Sequence, residues 1–322
     1  MSRSFFDAAA YGGKGWQPRA ASTAEEIGRL WSACGQDSEW APLKSVLLHR
    51  PGPEMLTADD PDAVQMLATV DLSRLQAQHD LLAQAFDAAG VAVHYVQPDV
   101  MPPPNLMFVA DLMVMTPEGA ILARPASRVR AGEERFIARR LTALGIPILR
   151  SVHGRATFEG ADAMWLSSDS MLVADGLRTN PQGRTQVAAT LAEMGIETLP
   201  VGLPYGAMHL MGALRIVARD LAIAWPGRVP FAAVRALRQH GATIHFLPDE
   251  SEALHGFALN FVTLGPRKIL MAAGNPVTRR FYESLGIECV TVAVDELTRA
   301  AGGIGCLTGV LERELLHVMH GD

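Results

Sequence analysis

Residues 112–149 read LMVM-TPEG-AILARP-ASRVR-AGEERFIARRLTAL-G-IPIL. Two short apolar runs flank the turn TPEG, a helix-like segment follows over 131–144, Gly145 ends it, and a third apolar run begins. The pattern predicts two strands, a helix capped by glycine, and another strand. Working outward, the same order returns along the chain. Downstream come AMWL-SSDS-MLVADG (163–176), a helix near 182–194, Gly195 and IETLPV; LRIV-ARD-LAIAWPG (214–227), a helix near 229–240, Gly241 and ATIHFLP; and FVTLGPRKILMAAG (261–274), a helix near 276–285, Gly286 and IECVTVAV. Upstream lies a split copy, with VLLHRPG (46–52), a helix near 73–89, Gly90 and VAVHYV. Five units with a period of about 45–55 residues predict a solenoid, a propeller or a closed ring. A doubly wound sheet alternates one strand with one helix, whereas three strands accompany each helix here, which favours the ring. CLTGVL (306–311), after the fifth unit, supplies the strand missing from the first and closes the circle.

The composition agrees with one ordinary globular domain: 322 residues, 49% hydrophobic and 19% charged. Residues 1–40 precede the first repeat as an N-terminal extension, and no Ser/Gly-rich linker divides the rest. The net charge is −6 with both signs scattered, so no basic stripe invites nucleic acid. No run of 18 apolar residues predicts a membrane span, and the N-terminus lacks the apolar stretch of a signal peptide. Cys34, Cys289 and Cys306 are too few and too scattered for a disulfide framework. A soluble cytoplasmic protein is expected. There is no Walker loop, G-x-S-x-G, H-E-x-x-H or C-x-x-C, and the histidines lack zinc-ligand spacing.

A polar residue stands just before the first strand of each unit. Asp111 precedes LMVM, Glu159 to Asp162 precede AMWL, His209 precedes LRIV, Asn260 precedes FVTL, and Cys306 precedes LTGVL. Equivalent positions of a cyclic array converge on its axis. Two acids, an imidazole and a thiol meeting there make a nucleophilic site. Plainer readings exist for each: a thiol as a small buried hydrophobe, which suits Cys289 within IECVTVAV; a satisfied core histidine; turn-capping carboxylates. Their shared register favours the site, as do the glycines around Cys306 in GGIGCLTG, which admit close backbone approach.

These residues resemble the guanidine-modifying enzymes of the pentein fold: arginine deiminases, dimethylarginine dimethylaminohydrolases and glycine amidinotransferases. The resemblance runs from SEWAPLKSVLLHRPG (38–52) to GGIGCLTGVLERE (302–314), through NLMFVAD (105–111), FEGAD (158–162), GLRTN (176–180), MHL (208–210) and GIGCLT (303–308). It implies a five-bladed α/β propeller of ββαβ repeats around a central site. It further implies Cys306 as nucleophile, His209 as general acid and base, and Glu159 orienting the histidine and holding the guanidine. Asp111 would bind two guanidine nitrogens, Asn105, Arg130 and Arg178 would hold the rest of an arginine-like substrate, and Asp162 is expected as a further carboxylate of the pocket. A thiolate attacks the resonance-shielded guanidine carbon, leaving an S-amidino (thiouronium) enzyme that water hydrolyses; no metal or organic cofactor is required. The partner is a small guanidino compound, and a homo-oligomer is expected. Two positions that carry extra carboxylates in branches of the family hold Ala110 and Met211 here. Fewer charges suit a guanidine of low basicity, such as nitroguanidine. The alternatives are hydrolysis of arginine or dimethylarginine, amidino transfer, and a non-catalytic pentein binding protein.

Overall fold

The first repeat folds as strand β1 (Leu43–Leu48), helix α1 (Leu72–Ala88) and strand β2 (Ala92–Tyr95). The second is β3 (Met113–Thr116), β4 (Gly119–Leu122), α2 (Glu134–Ala143) and β5 (Ile148–Ser151). The third comprises β6 (Ala163–Ser167), β7 (Ser170–Asp175), α3 (Pro181–Glu193) and β8 (Glu197–Gly202). The fourth has β9 (Leu214–Ala218), β10 (Leu221–Ala224), α4 (Phe231–Gln239) and β11 (Thr243–Phe246). The fifth has β12 (Val262–Gly265), β13 (Lys268–Ala272), α5 (Pro276–Ser284) and β14 (Glu288–Val292), and β15 (Gly309–Arg313) follows. These elements come from a computed structural model that describes residues 4–316.

Each repeat is one three-stranded sheet: two antiparallel strands, then a helical crossover to a third strand parallel to the second. In the first sheet the antiparallel partner of β1 is β15, with Val46 opposite Val310 and Leu47 opposite Gly309. The expected closing strand is therefore present, although it begins at Gly309; Cys306 itself lies on the one-turn helix Ile304–Leu307 just before it. Gly90, Gly145, Gly195, Gly241 and Gly286 each follow a helix at φ between 72° and 82°, the left-handed conformation that ends it without a Cβ clash.

Side chains alternate across a strand, so every sheet has two faces, and in this chain both are apolar. Met113, Met115, Ala120 and Leu122 pack toward the first sheet with Leu47 and Leu311, whereas Val114 and Ile121 pack toward the third with Trp165, Met171 and Val173. Met164, Leu166 and Leu172 then meet Leu214, Ile216 and Ala222; Val217 and Ile223 meet Phe261, Ile269 and Met271; and Val262 and Leu270 of the fifth sheet meet Val46 and Leu48 of the first. Each sheet is thus packed between its two neighbours, and the circle of five closes. The entering and middle strands are largely buried, while each third strand is half-exposed at the rim.

The N-terminal segment divides in two. Residues 4–22 are mostly exposed turns, but Cys34 and Trp40 are buried in the body, and Gly35 exchanges backbone hydrogen bonds with Leu311 and Arg313. No helix of the described residues is long and apolar enough to cross a membrane. If β15 closes the ring, Leu311→Ala should destabilise the fold by about 2–5 kcal/mol, the cost of a buried leucine cavity. Leu316→Ala, at a half-exposed position, should change it by roughly 0.5 kcal/mol or less. Denaturant unfolding of the two variants measures the contrast, and equal midpoints would contradict the closure.

Candidate active site

The turns before the entering strands bring the expected residues together. Asp111 ends the turn Val109–Asp111 before β3, Glu159 precedes the turn Gly160–Asp162 before β6, and His209 precedes the turn Leu210–Gly212 before β9. Gly160 allows the second of these to nest on the first: a Cβ there would sit 2.1 Å from the Met113 carbonyl oxygen and 2.5 Å from that of Ala110. Asn260 precedes β12, and Cys306 precedes β15. Asn260 clamps the cysteine, donating from Nδ2 to Sγ at 3.0 Å and accepting the Cys306 backbone N–H at Oδ1 at 3.1 Å. The sequence placed Asn260 in the converging register without giving it a role.

His209 Nε2 is 2.7 Å from Glu159 Oε2, and its Nδ1 lies 3.8 Å from Asp111 Oδ1. Arg178 Nη1 donates to both Glu159 oxygens at 3.4 Å. Glu159 is fully buried behind the histidine, so its geometry is that of an orienting group. Asp162 is also fully buried: Oδ2 accepts from Thr179 Oγ1 at 2.7 Å and Oδ1 from the Leu210 N–H at 3.1 Å. The expectation that it enters the pocket is corrected on that ground. Both of its oxygens are engaged away from the cavity, where they fix the turn that carries His209.

Arg130 also departs from expectation. Its buried guanidinium donates to Asp111 Oδ2 at 2.5 Å and to Glu133 Oε2 at 2.9 Å, and lies 3.8 Å from Glu159. It is at the site, but its charge is matched by the protein's own carboxylates rather than left to hold a substrate's tail. Glu133, its main partner, carried no signal in the sequence beyond one charge at a helix start. Asn105 donates to the Val64 carbonyl at 2.8 Å. Its Oδ1 and Asp111 Oδ1 are buried acceptors with no donor among the described residues.

Two adjoining cavities meet at Cys306 and His209. The smaller, about 40 Å³, is polar and reaches Asn105, Asp111, Arg130 and Arg178. The larger, about 270 Å³, is walled by Met208, Met211, Trp225, Leu254, Phe257 and Leu259 among others. Gln65, Phe257 and Ala301, non-glycine residues at φ of 61°, 52° and 76°, line these walls, so backbone strain collects at the site.

Burial alone would push His209 down, but Asp111, Glu159 and Asp162 outweigh it and hold the imidazole up at about 9. Burial would raise Glu159, yet the hydrogen bond from His209 and the charges of Arg130 and Arg178 hold it down at about 2. Burial raises Asp162 to about 6. The Cys306 thiol is also raised, by burial and the nearby Asp111 charge, against the hydrogen bond from Asn260. Cys34, in the core, and Cys289, half-buried on the rim strand, are pushed by burial to about 12 and about 11, as suits thiols of low reactivity. Ligand-type atoms of Asp111, Glu159 and His209 lie within 4.8 Å of one another. That set is knit by the His209–Glu159 contact and lies beside the guanidinium groups of Arg130 and Arg178.

Comparison with known proteins agrees with this geometry. The sequence model of the arginine deiminase family matches residues 234–313. The N(G),N(G)-dimethylarginine dimethylaminohydrolase of Streptomyces coelicolor is 28% identical over 274 residues, covering 85% of this chain and 99% of that one. The enzyme of the same name from Pseudomonas aeruginosa is 25% identical over 242 residues, 75% of this chain and 90% of its own. A solved structure of the dimethylarginine dimethylaminohydrolase from Pseudomonas aeruginosa, complexed with citrulline, superimposes with a TM-score of 0.70 at 22% identity over 83% of this chain and 98% of that one. An amidinotransferase from Microseira wollei gives 0.69 at 14% identity over 88% and 99%.

The charge pair makes its own prediction. His209 holds its proton more tightly in the folded chain, so its stabilisation is complete below about pH 6.5 and is lost as pH rises through about 9. Glu159 mirrors it: its stabilisation is complete above about pH 4.5 and is lost as pH falls through about 2. Glu159→Gln should lower the His209 titration midpoint seen by NMR and flatten the alkaline fall in stability. An unchanged midpoint would show that the pair is not coupled.

Proposed function

The chain belongs to the guanidine-modifying superfamily of the pentein fold, and from its site we propose a cysteine hydrolase that breaks a C–N bond of a small guanidino compound. One observation carries the reading. Asp111 and Asn105 line the small cavity with Cys306 and His209, and the Oδ1 atom of each is buried without a donor among the described residues. A guanidine offers coplanar N–H donors around an electrophilic carbon, which meets those acceptors and the thiol together.

In the proposed cycle the Cys306 thiolate bonds to the guanidine carbon. His209, held as imidazolium by its carboxylates, gives its proton to the departing amine, and the C–N bond breaks to leave the S-amidino enzyme. The neutral imidazole then takes a proton from water as the hydroxide bonds to the same carbon. Loss of the thiolate releases a urea or ureido product. Glu159 keeps Nε2 engaged, so Nδ1 is the ring nitrogen left on the Asp111 side to carry the proton. No step needs a metal.

Within that class we place the substrate among guanidines of low basicity, such as nitroguanidine. Arg130 already balances Asp111, Ala110 and Met211 stand where carboxylates would add charge, and the larger cavity beside Cys306 is walled by apolar residues. Hydrolysis of dimethylarginine is the second reading, favoured by the similarity to two dimethylarginine dimethylaminohydrolases. Amidino transfer differs only in whether an amine or water takes the amidino group.

Cys306→Ser should lower kcat by a factor on the order of 10³ or more, while Cys34→Ser and Cys289→Ser retain most activity and the parent enzyme survives exhaustive EDTA treatment. A serine variant with parental turnover, or an inhibitor adduct on Cys34, would end the covalent reading. For the substrate, kcat/KM should be greater for nitroguanidine than for arginine, agmatine or dimethylarginine under one set of conditions. A tenfold preference for arginine or a methylarginine, ~1.4 kcal/mol in transition-state binding, would overturn the low-basicity assignment and leave the hydrolase class standing.

A further inference from the structure

Strand β9 carries a charge where its neighbours are apolar: Arg215, between Leu214 and Ile216. The side chain is 93% buried, with a relative exposure of 7%. Its Nε donates to the Leu259 carbonyl at 3.3 Å, and its guanidinium carbon lies 5.8 Å from the centre of the Phe261 ring. Nη2 meets no hydrogen-bond acceptor among the described residues. It presses on Gly305, where a Cβ would come within 1.8 Å of Nη2. The next residue is Cys306. Only glycine at 305 lets a guanidinium approach the backbone of the nucleophile this closely.

The charges around Arg215 do not balance. Arg313, on β15, is buried in the same region, donates from Nη1 to the Ala41 carbonyl and leaves Nε without an acceptor. Glu39 is the carboxylate that both arginines face, and it also accepts the Trp165 N–H at 2.9 Å. Tyr282 faces Arg215 from α5 and stays neutral, raised well above its usual range chiefly by burial. Two buried cations therefore share one acid, and burial is costly for a cation without a counter-charge. Across the thiol Asp111 disfavours a thiolate, and the small cavity also holds the cationic groups of Arg130, Arg178 and His209. Asn260 is neutral and donates to Sγ.

We propose that Arg215 is the fixed counter-cation of the Cys306 thiolate, a positioning residue that acts through charge across Gly305 without touching substrate. The assignment rests on Cys306 being the nucleophile. It matters most for a substrate of low basicity, because a neutral guanidine brings no positive charge of its own to favour the thiolate. Arg215 is buried but still protonated at neutral pH, its pKa lowered only to about 10 by burial.

The test is the pH dependence of iodoacetamide alkylation at Cys306, followed by peptide mass spectrometry in Arg215→Met, Arg215→Lys and Glu39→Gln. Arg215→Met should shift the apparent thiol pKa up by about one unit, making alkylation near pH 7 about tenfold slower. Its kcat should fall with KM nearly unchanged, and Arg215→Lys should recover part of both effects. Glu39→Gln removes the competing acid while keeping an acceptor for Trp165, so it should shift the thiol pKa down even if the methionine variant does not fold. A folded Arg215→Met with the parental profile, a lysine variant no better than methionine, or an unmoved or raised profile in Glu39→Gln would each overturn the assignment. A Cys306→Ser enzyme with full turnover would instead remove the nucleophile reading beneath it.

Discussion

A three-stranded sheet with apolar side chains on both faces is not stable in water until both faces are covered. Helices could cover such a sheet, but each repeat here has one helix, and it spans the crossover to the outer strand. The neighbouring sheets do the rest: odd and even residues of each entering strand pack to opposite sides, and five such contacts close on themselves. Apolar burial contributes about 25 cal/mol per Å² removed from water, so a gap anywhere in this circle would expose two faces at once. The chain closes it with β15, its last strand, set against β1, its first. Closure also creates the site. Since the polar turns precede the entering strands, closing the circle brings Asp111 and Cys306, far apart in sequence, to the walls of one cavity.

The buried charges at this centre separate into two groups. On one side Asp111, Glu133 and Glu159 face Arg130 and Arg178, and Asp111, Glu159 and Asp162 together keep His209 protonated, an excess of acid. On the other, Arg215 and Arg313 face Glu39, an excess of base beside Cys306. Buried ion pairs seldom stabilise a fold by much, because desolvation offsets the attraction. Their value here is positional. The acid-rich side suits N–H donors and a proton carrier, and the base-rich side suits a sulfur anion. Charge separation of this kind is fixed by the backbone before substrate arrives, so no reorganisation is needed when charge develops.

The architecture was legible because it repeats. Glycine after each crossover helix, short apolar strands and one polar residue at a constant register gave the five sheets, the closing strand and the convergence of Asp111, Glu159, His209 and Cys306. What stayed hidden were side-chain partnerships, which depend on distances no pattern encodes. Arg130 reads as a substrate ligand, and it does line the small cavity, but nothing in the pattern shows its guanidinium on Asp111 and Glu133. Asp162 reads as a pocket acid, one residue type and three positions from Glu159, until both its oxygens are found supporting the histidine's turn. A signal did exist for Arg215, a lone charge inside the apolar run LRIV, and for Asn260, which shares the register of the other site residues.

The arrangement of Asp111 decides what kind of ligand the small cavity can prefer. A carboxylate recognises a guanidinium best with two parallel bonds, one to each oxygen. In Asp111 only Oδ1 is without a donor, since Oδ2 already accepts from Arg130. The second open acceptor is Asn105 Oδ1, an amide oxygen with no charge. In the proposed reading an incoming guanidine meets two open acceptors, of which one carries charge, and that charge is shared with Arg130. A cationic ligand would lose its hydration there and gain one shared charge in return, whereas a neutral guanidine loses far less and keeps the same hydrogen bonds. Under that constraint the positive charge that would favour the proposed thiolate must be built into the protein. Arg130 is already matched by Asp111 and Glu133, which leaves Arg215, beneath Gly305, as the residue placed to supply it.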